Sequence, residues 1–485
     1  LGASIQDVNY AYYSVGGDLN SVANSFTLKN LNLANAEHDQ DGYHDQTQSL
    51  FATAQLGWQS KLYLDVTGRI DWSSALAWTN SKNVAYPSVG LSAILTDLFP
   101  IKNDVLTFLK VRASYSEVGN APTRYIAYQT FPYQSGTPTT ASTYPNSDIK
   151  PERTKAWEVG LQSNFWGDKL SLSVSLYKTS TYNQLFNPSL SASSGYTSIY
   201  INGGQVDNKG IELGLSLNQD LGPVKWNSNF TYTLNRNEIK KLLKPTTLAS
   251  GLTIQQDVLD LGGVGNVMTR LTEGGSIGDL YVTALRTDEH GYIDVDYVNN
   301  TVAVDKNAGD RKDGWVYAGN AQPKYTLGWR NSFSWKGLNL GFLINARVGG
   351  IGVSMTQALM DAYGTSQASA DARDAGGVII NGSLVPAAQK YYQTVGTGAG
   401  SMYVYSATNV RLAELSLGYD VPVSKVVPWI KGLNVALTGH NLFMFYCKAP
   451  YDPELTASTA THFAGMDYFM LPSLRNLGFS VRLNF

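Results

Sequence analysis

The stretch LYLDVTGRIDW, Leu62 to Trp72, decides the fold because its side chains alternate strictly in character. Apolar residues and one glycine occupy every second position, and tyrosine or polar residues fill the positions between them. A repeat of two places successive side chains on opposite faces of a strand. The stretch therefore predicts a β-strand with one apolar face and one polar face.

The same alternation recurs in about thirteen segments, each close to the ten residues that a tilted membrane strand needs. Their apolar positions hold mainly Leu, Val, Ile, Phe and Trp, and their polar positions hold mainly Ser, Thr, Asn and Gln. The predicted strands are 49–58, 62–73, 85–96, 106–117, 154–165, 169–181, 207–218, 223–235, 323–334, 338–348, 408–420, 431–442 and 474–485.

The composition supports a membrane setting. Only 15% of the 485 residues are charged, whereas a typical soluble protein has roughly 25%. The polar faces are therefore mostly neutral, which suits strands that line a hydrated interior. The net charge of −2 gives no electrostatic case for nucleic acid binding. The single cysteine, Cys447, excludes an internal disulfide, and no apolar run is long enough for a transmembrane helix.

The connections between predicted strands differ in length at the two ends of the sheet. Short connections lie at 59–61, 166–168, 220–222 and 335–337, and long ones at 118–153, 182–206, 236–322 and 349–407. Short periplasmic turns and long extracellular loops are typical of an outer-membrane β-barrel. On this interpretation the apolar face contacts lipid, the polar face lines a lumen, and the strands close into a ring because lipid cannot satisfy open edges.

Aromatic residues favour the same interpretation, because they gather at the two ends of the strands, where membrane interfaces would lie. The short-turn end carries Trp58, Phe165, Trp226, Trp335, Tyr419 and Phe485, and the long-loop end carries Trp72, Tyr115, Trp157 and Tyr232. A soluble β-sandwich or propeller also alternates and stays open as an alternative. Such a protein would carry more Lys, Glu and Asp on its solvent face.

The predicted register turns ten charged residues toward the lumen. They are Asp65, Arg69, Asp71, Lys110, Arg112, Glu158, Glu212, Arg330, Arg347 and Arg482. One hypothesis is a hydrated, salt-bridged wall that also holds a plug, and the other is contact with substrate or a relay of plug movement. The wall is favoured for most of them, because opposite charges pair across strands.

Other patterns are weak. No catalytic set can be assembled from His38, His44, His290, His440 and His462. His38 and His44 could bind a metal, but a solvated segment is favoured because nothing adjacent fixes ligand geometry. The glycine-rich stretches GGVGNV (262–267) and VGTGAG (395–400) are predicted to be flexible loops. Cys447 is predicted to pack and not to react.

Two features of the long connections concern recognition. The only helical candidate is VSMTQALMDAYG (353–364), in which Met355, Leu359 and Met360 could form an apolar face. This face could dock on a partner, but packing against neighbouring loops is favoured. The stretches TYPNSDIKP (143–151) and NPSLSASSGYTSIYINGG (187–204) suit ligand recognition, because aromatic rings stack on sugars or peptide groups and hydroxyls and amides supply hydrogen bonds.

Six stretches resemble, in the same order, motifs of the SusC/RagA family of TonB-dependent outer-membrane transporters. They are VRASYSEVGNAP (111–122), SDIKPERTKAWEVGL (147–161), NGGQVDNKGIELGLSLN (202–218), GNAQPKYTLGWRNSFSWKGLNLGF (319–342), NVRLAELSLGYDVP (409–422) and GHNLFMFYCKAPYDPE (439–454). Phe485 fits the end of the family's last strand and is expected to be a barrel-assembly signal. The acidic loop that often precedes the GN motif in the family is thinned here to Asp305, Asp310 and Asp313, so no metal site is expected there.

The resemblance implies an all-β transmembrane antiparallel barrel of roughly twenty-two strands, of which this chain supplies about thirteen. Residues 1–48 are expected to be an extracellular loop region and residues 49–485 the C-terminal portion of the barrel, with the plug domain and the N-terminal strands outside this chain. We expect the outer membrane as location, and no enzyme activity and no cofactor.

The implied function is active import of an oligosaccharide or a peptide. Expected partners are the N-terminal part of the same transporter, a SusD-like surface lipoprotein, TonB and outer-membrane lipid. A passive porin-like channel and a soluble carbohydrate-binding β-protein are the alternatives.

Overall fold

The protein is described by a computed structural model that covers residues 1–99, 101, 103–131, 133–134, 137–188, 190, 194–247, 251, 253–423, 427, 429–455, 458 and 463–485. Within these residues the chain forms one fourteen-stranded sheet whose strand order follows the chain order. Every neighbouring pair in it is antiparallel. The prediction of an all-β antiparallel barrel wall is confirmed.

The strands of this sheet are numbered along the chain. They are β1 (Gly2–Gly16), β2 (Glu37–Trp58), β3 (Leu62–Ser73), β4 (Val84–Ile94), β5 (Leu106–Asn120), β6 (Glu152–Phe165), β7 (Leu170–Phe186), β8 (Ile201–Leu221), β9 (Val224–Lys241), β10 (Tyr325–Trp335), β11 (Leu338–Val348), β12 (Asn409–Val421), β13 (Gly432–Cys447) and β14 (Asn476–Asn484). The predicted bounds 62–73 and 338–348 agree with β3 and β11.

The structure corrects the prediction for residues 1–48. Residues 2–16 are a strand, β2 begins at Glu37, and only residues 17–36 connect them. The sheet therefore has fourteen strands, one more than predicted. The pattern did not indicate β1 because Asp7 and Asn9 interrupt its apolar face after Ala3 and Ile5. Pairing with β2 forms this strand without an uninterrupted apolar stripe.

The alternation of short and long connections is present. One end of the sheet carries 59–61, 95–105, 166–169, 222–223, 336–337 and 422–431, and the other carries 17–36, 74–83, 121–151, 187–200, 242–324, 349–408 and 448–475. The lengths overlap at 74–83, which is no longer than 422–431 and is shorter than 95–105. The very long connections nevertheless all lie at one end.

The long connections contain secondary structure of their own. They hold α2 (Met355–Ala362), α3 (Gln367–Asp374), α4 (Ala388–Gly398) and 3₁₀ turns at Leu28–Asn30, Leu33–Asn35, Ser74–Leu76 and Gly400–Tyr403, whereas α1 (Leu95–Leu98) lies in connection 95–105 at the other end. The short strands are Tyr133–Gln134, Thr137–Pro138, Thr143–Tyr144, Ser198–Ile199, Leu243–Thr247, Thr253–Gln256, Val258–Val264, Val267–Thr272, Asp279–Val282, Val295–Asp296, Thr301–Val302, Val316–Asn320, Ile351–Ser354, Val378–Ile380, Ser383–Val385, Val404–Ser406 and Met466–Asp467. Among the described residues, no helix has the length and hydropathy that crossing a membrane requires.

The apolar face of the sheet is open to its surroundings. Val66, Trp157 and Leu437 on this face are 41%, 62% and 63% exposed. The aromatic residues predicted for the short-turn end include Trp58, Trp335, Tyr419 and Phe485, which are also exposed. A face that is apolar and uncovered is what contact with lipid requires, and the buried core lies elsewhere, in the long connections and the strand ends next to them.

Candidate functional site

Three consecutive long connections fold together at one mouth of the barrel. We call residues 242–324, 349–408 and 448–475 the loop module. Its core joins Leu280 from the first connection, Val353 and Tyr403 from the second and Met466 from the third, each at most 2% exposed. Because side chains from all three connections share one dry core, the loop module has a defined packed structure.

The predicted helix in residues 353–364 is present as α2. Ser354 caps it by accepting a hydrogen bond from the Gln357 amide at 3.1 Å, and its hydroxyl donates to Asp467 Oδ2 at 2.6 Å. Met355 and Ala358 are buried against α4, whereas Met360 of the predicted apolar face is exposed. The helix therefore packs within the loop module. Helices α3 and α4 were not predicted, because their sequences are polar or glycine-containing.

The glycine-rich stretches form a hairpin and the end of a helix, so their prediction as loops is wrong. Gly265 occupies the tight turn between the strands Val258–Val264 and Val267–Thr272, with a φ of +56°. Gly396 lies in α4, where a Cβ would come within 2.2 Å of the Ala358 carbonyl oxygen in α2. A Cβ on Gly400 would lie 2.3 Å from the Asn266 carbonyl oxygen. These glycines permit close backbone contact.

An ion pair ties the loop module to the barrel. Arg411 of β12 donates to both carboxylate oxygens of Asp452, at 2.6 and 2.9 Å, and the two side chains are 9% and 8% exposed. Asn409 Oδ1 accepts two further hydrogen bonds from Arg411, at 3.1 Å each. Burial alone would raise the pKa of Asp452, but hydrogen bonds from Arg411, the Glu454 amide and Ser473 lower it below its ordinary value. Two of the recognised motifs, 409–422 and 439–454, therefore meet at this pair.

The GN motif forms hydrogen bonds within the loop module, and Arg347 of β11 beside it forms a second tie between the module and the barrel. Asn320 donates to Asp279 Oδ1 at 2.9 Å, and Tyr317 donates to the same oxygen at 3.3 Å. Burial, and then the Asp279 charge, raise the pKa of Tyr317 to about 12. Arg347, which was predicted to face the lumen, donates to the Ala321 carbonyl at 2.5 Å and so braces the base of the module.

Most of the predicted lumen charges lie in ion pairs or hydrogen bonds on the polar face. Arg69 and Asp71 are 2.7 Å apart, Arg112 and Glu158 are 2.8 Å apart, and Asp65 accepts from Gln55 at 2.7 Å. Arg112 also donates to Ser175 at 2.8 Å, which links β5, β6 and β7.

Arg330 of β10 reaches across β11 to Glu414 of β12 at 2.6 Å. Glu414 was not predicted, because the pairing register shifts between Leu412 and Glu414. The sequence contains the signal for this bulge: the apolar positions change from Val410 and Leu412 to Leu415 and Leu417.

Asp65 and Arg347 make the hydrogen bonds given above without an ion pair, and three further predicted lumen residues lack an ionic partner. Among the described residues, no group of opposite charge lies within 4.0 Å of Lys110, Glu212 or Arg482. Glu212 and Arg482 are exposed, and Lys110 is half-buried. These charges are available to a further group on the polar face.

A polar cleft opens where β9 and β10 separate. Their pairing ends at Thr233 and Thr326, while β9 continues to Lys241. The cleft has a volume of about 590 Å³. Its polar lining comprises Asn235, Arg236, Asn237, Ser276, Asn320, Gln322, Lys324, Ser406 and Thr408. Amide and hydroxyl groups, together with the cationic Arg236 and Lys324, suit hydrogen bonding to a polar ligand.

The two stretches predicted for recognition contact each other. Thr143–Tyr144 pairs in parallel with Ser198–Ile199, and Ile149 and Ile199 are fully buried. Asn202 accepts from the Lys150 amide at 2.6 Å and donates to the Lys150 carbonyl at 2.7 Å. Part of each stretch therefore serves packing; residues 189 and 191–193 of the second lie outside the described residues.

The structure offers no support for a metal site in the described part of the chain, where no three His, Cys, Asp or Glu side chains converge. His38 and His44 both lie in β2, six positions and therefore about 20 Å apart. His44 pairs with Asp7 at 2.8 Å, and Asp313 pairs with Arg270 at 2.8 Å. His462 is outside the described residues.

The remaining predicted residues are placed as follows. His290 and His440 are exposed. Cys447 is half-buried at the end of β13, with its sulfur 3.5 Å from the Ala449 carbonyl. Phe485 stacks on Trp429 with ring centres 5.7 Å apart, and its role in barrel assembly stays a prediction.

Comparison with known proteins agrees with this architecture. Residues 2–345 match the model of the family "TonB dependent receptor-like, beta-barrel". TonB-dependent receptor P3 of Formosa agariphila is 25% identical over 98% of this chain and 50% of its own length. TonB-dependent receptor P26 of the same organism is 25% identical over 90% of this chain and 44% of its own length. The chain thus spans about half the length of the curated relatives it matches.

Solved structures show the same fold. The RagAB peptide importer in its open-open state matches all of this chain and 52% of the compared chain, with a TM-score of 0.74 and 20% identity. Its closed-closed state matches with a TM-score of 0.73, over all of this chain and 53% of the compared chain, also at 20% identity. The resemblance to the SusC/RagA type is therefore confirmed in the fold.

The family match extends over well more than half of the chain. It confirms the predicted bacterial outer-membrane location and the prediction of a receptor that is not an enzyme. The fourteen-stranded sheet with its open apolar face, the mouth covered by long connections and the family match agree, and the chain belongs to the TonB-dependent receptor-like β-barrel family.

Proposed function

We propose that this chain supplies barrel wall and extracellular mouth to a TonB-dependent importer of an oligosaccharide or a peptide. The observation that carries the proposal is the loop module, a packed structure tied to the barrel by the buried pair of Arg411 and Asp452. A preformed mouth whose cleft is lined by amides, hydroxyls and the cations Arg236 and Lys324 favours capture of a polar ligand over free diffusion.

The barrel needs additional strands to close. Strands β1 and β14 are the two ends of the sheet, and within the described residues each pairs with one neighbour only. Unpaired backbone groups cost several kcal/mol each in hydrocarbon. We therefore propose that the N-terminal part of the same transporter supplies the remaining strands and a plug, so that residues 2–485 act as the C-terminal portion of a larger barrel in outer-membrane lipid.

The polar face serves two roles in this proposal. Paired charges such as Arg112 with Glu158 form a hydrated wall along which a plug can move. The uncompensated charges of Lys110, Glu212 and Arg482 are the candidates for direct contact with the plug or the substrate, because a partner there gains a full ionic contact.

The mouth would work with a lid. In the solved relatives the assembly is named RagAB and described as a peptide importer. By that likeness we propose a SusD-like surface lipoprotein as the partner at the long-loop end, with TonB acting on the plug from the periplasm. A peptide and an oligosaccharide both present the amide or hydroxyl groups that the cleft at Asn235 and Asn237 can bind.

Uptake measurements in the native host test this function. Cells lacking the transporter are complemented with the wild type or with a variant carrying Glu212→Gln and Arg482→Gln, and uptake of labelled peptide and glycan mixtures is followed with and without functional TonB. We expect uptake that requires TonB and falls in the variant at unchanged protein level. Uptake that is independent of TonB would establish a passive channel instead. Copurification of a lipoprotein tests the lid.

A further inference from the structure

The first two strands continue as a two-stranded arm beyond the rest of the sheet. β2 pairs with β1 over residues 37–51 but with β3 only over residues 47–58. Residues 37–46 of β2 and residues 7–16 of β1, here called the arm, therefore stand clear of β3. Ten residues of strand extend about 33 Å, so the arm reaches well past the rim.

The edge of the arm formed by β2 has free backbone groups. The amide of Gln46 donates to Ser74 Oγ at 3.1 Å, which shows that Gln46 directs its backbone away from β1. Backbone direction alternates along a strand, so His38, Gln40, Gly42 and His44 point to the same side. The Gly42 amide is satisfied by Asp41 Oδ1 at 2.7 Å. Among the described residues, no strand pairs with this edge.

One face of this edge is strongly acidic. Glu37, Asp39 and Asp41 occupy alternate positions and share a face, and all three are exposed. Among the described residues, none of the three has a cationic group within 4.0 Å. Successive side chains on one face are about 7 Å apart, which matches the side-chain repeat of another extended strand.

The same face already binds a guanidinium group nearer the barrel. Arg124 lies 2.8 Å from Asp45 Oδ2, with its guanidinium carbon 3.4 Å from the centre of the Tyr43 ring. A groove of about 1140 Å³ is lined by residues Glu37 to Gly42, by Tyr133 and, on the face opposite the three carboxylates, by Ala11 and Tyr13 of β1. A strand added to the free edge of β2 would lie about 4.8 Å from it.

We propose that the arm binds an extended peptide that carries Lys or Arg at alternate positions, as a strand added to the free edge of β2. Backbone hydrogen bonds hold the peptide, and side chains directly opposite Glu37, Asp39 and Asp41 lie about 5 Å away, where cations neutralise the carboxylates. The site lies outside the barrel, and the inference does not depend on which nutrient is imported.

Fluorescence anisotropy with the purified transporter complex tests the backbone contact. The probe is a labelled ten-residue peptide of alternating Lys and Thr, compared with two forms N-methylated at every Lys or at every Thr. Alternate N-methylation blocks one edge of an extended peptide. We expect one of the two methylated forms to bind like the parent and the other to lose binding. Equal binding by both would overturn the inference.

Charge and site are tested with the same probe. Replacing Lys by Glu in the peptide is expected to weaken binding at least about tenfold. The variant carrying Glu37→Gln, Asp39→Asn and Asp41→Asn should weaken the parent peptide by about tenfold and flatten its salt dependence, as three exposed ion pairs allow. Gln40→Pro removes one free backbone amide from the edge of β2 and should weaken binding of the parent peptide. Gln40→Ala keeps that amide and serves as the control. Unchanged affinity in the charge variant would refute the site.

Discussion

Single residues decide whether the loop module stays attached to the barrel. The pair of Arg411 and Asp452 is buried on both sides, whereas the pair of Arg330 and Glu414 on the polar face is 52% and 37% exposed. Water and ions screen the second pair but not the first. Residues with the same chemistry therefore differ in what they contribute to stability.

Arg411→Ala is expected to destabilise the module by about 3–5 kcal/mol, because it leaves the Asp452 carboxylate buried without its partner. Arg330→Ala is the matched control, with an expected cost of about 1 kcal/mol or less. Limited proteolysis of the folded complex should cleave the 448–475 connection early in the first variant only. Equal protease resistance of both variants would contradict this role for the pair.

Acid should loosen the same connection. The folded pKa of Asp452 lies below its ordinary value of 3.8. The stabilisation is therefore fully present above pH 3.8 and is lost as the pH falls through the lower, folded pKa. The protection of residues 448–455 against hydrogen exchange, relative to the intrinsic rate at each pH, should be constant from neutral pH down to about pH 4 and fall below it. In Asp452→Asn the exchange should be fast throughout, and protection that persists in this variant would count against the mechanism.

At the scale of elements, each strand has one face toward lipid and the other toward the hydrated lumen. Val66 and Thr67 are neighbours near the middle of β3, yet Val66 belongs to the exposed apolar face and Thr67 to the polar face. A period of two makes this assignment from sequence alone. If the assignment is right, the polar face accepts a charged side chain at little cost, whereas the apolar face does not.

Val66→Arg is expected to destabilise the barrel by about 2–4 kcal/mol, the cost of a cation on the lipid face near the bilayer centre. Thr67→Arg places the same side chain on the hydrated face and should cost about 1 kcal/mol or less. Denaturant unfolding of the complex in lipid vesicles measures both. If the two variants unfold alike, the assignment of the faces is wrong.

The close contact between α2 and α4 depends on Gly396, because glycine has no Cβ. Gly396→Ala would push a Cβ against the Ala358 carbonyl and should cost about 1–3 kcal/mol by overpacking. Gly68→Ala is the control, because a Cβ there meets nothing within 4 Å. Hydrogen exchange should rise in α2 and α4 for the first variant and stay unchanged for the second. Undisturbed helices in Gly396→Ala would show that the module is looser than its packing indicates.

At the scale of the whole molecule, the open edges of the sheet decide whether the chain can fold in lipid by itself. Strand β14 is exposed along its whole length, and β1 is exposed along most of its own. Such edges pair with whatever strand is available. A chain of this kind is therefore expected to fold in lipid only together with further strands.

Produced without companion strands, the chain should run as an unfolded or aggregated species in gel electrophoresis at room temperature. Produced together with the preceding part of the receptor, it should show the heat-dependent mobility of a closed barrel. Cysteines at Ile5 and Val481, in a Cys447→Ser background, report on self-closure. A disulfide between them in the isolated chain would mean that fourteen strands close alone and would overturn this expectation.

The sequence by itself determined the strands, their faces, the membrane setting and the family resemblance, because alternation and loop length are local properties of the chain. The position of most lumen charges also followed from register, up to the bulge before Glu414. The fourteenth strand, the buried pair of Arg411 and Asp452 and the core of the loop module were decided only by tertiary structure. Each depends on residues far apart in sequence, and no local pattern encodes which distant segments share a dry interior.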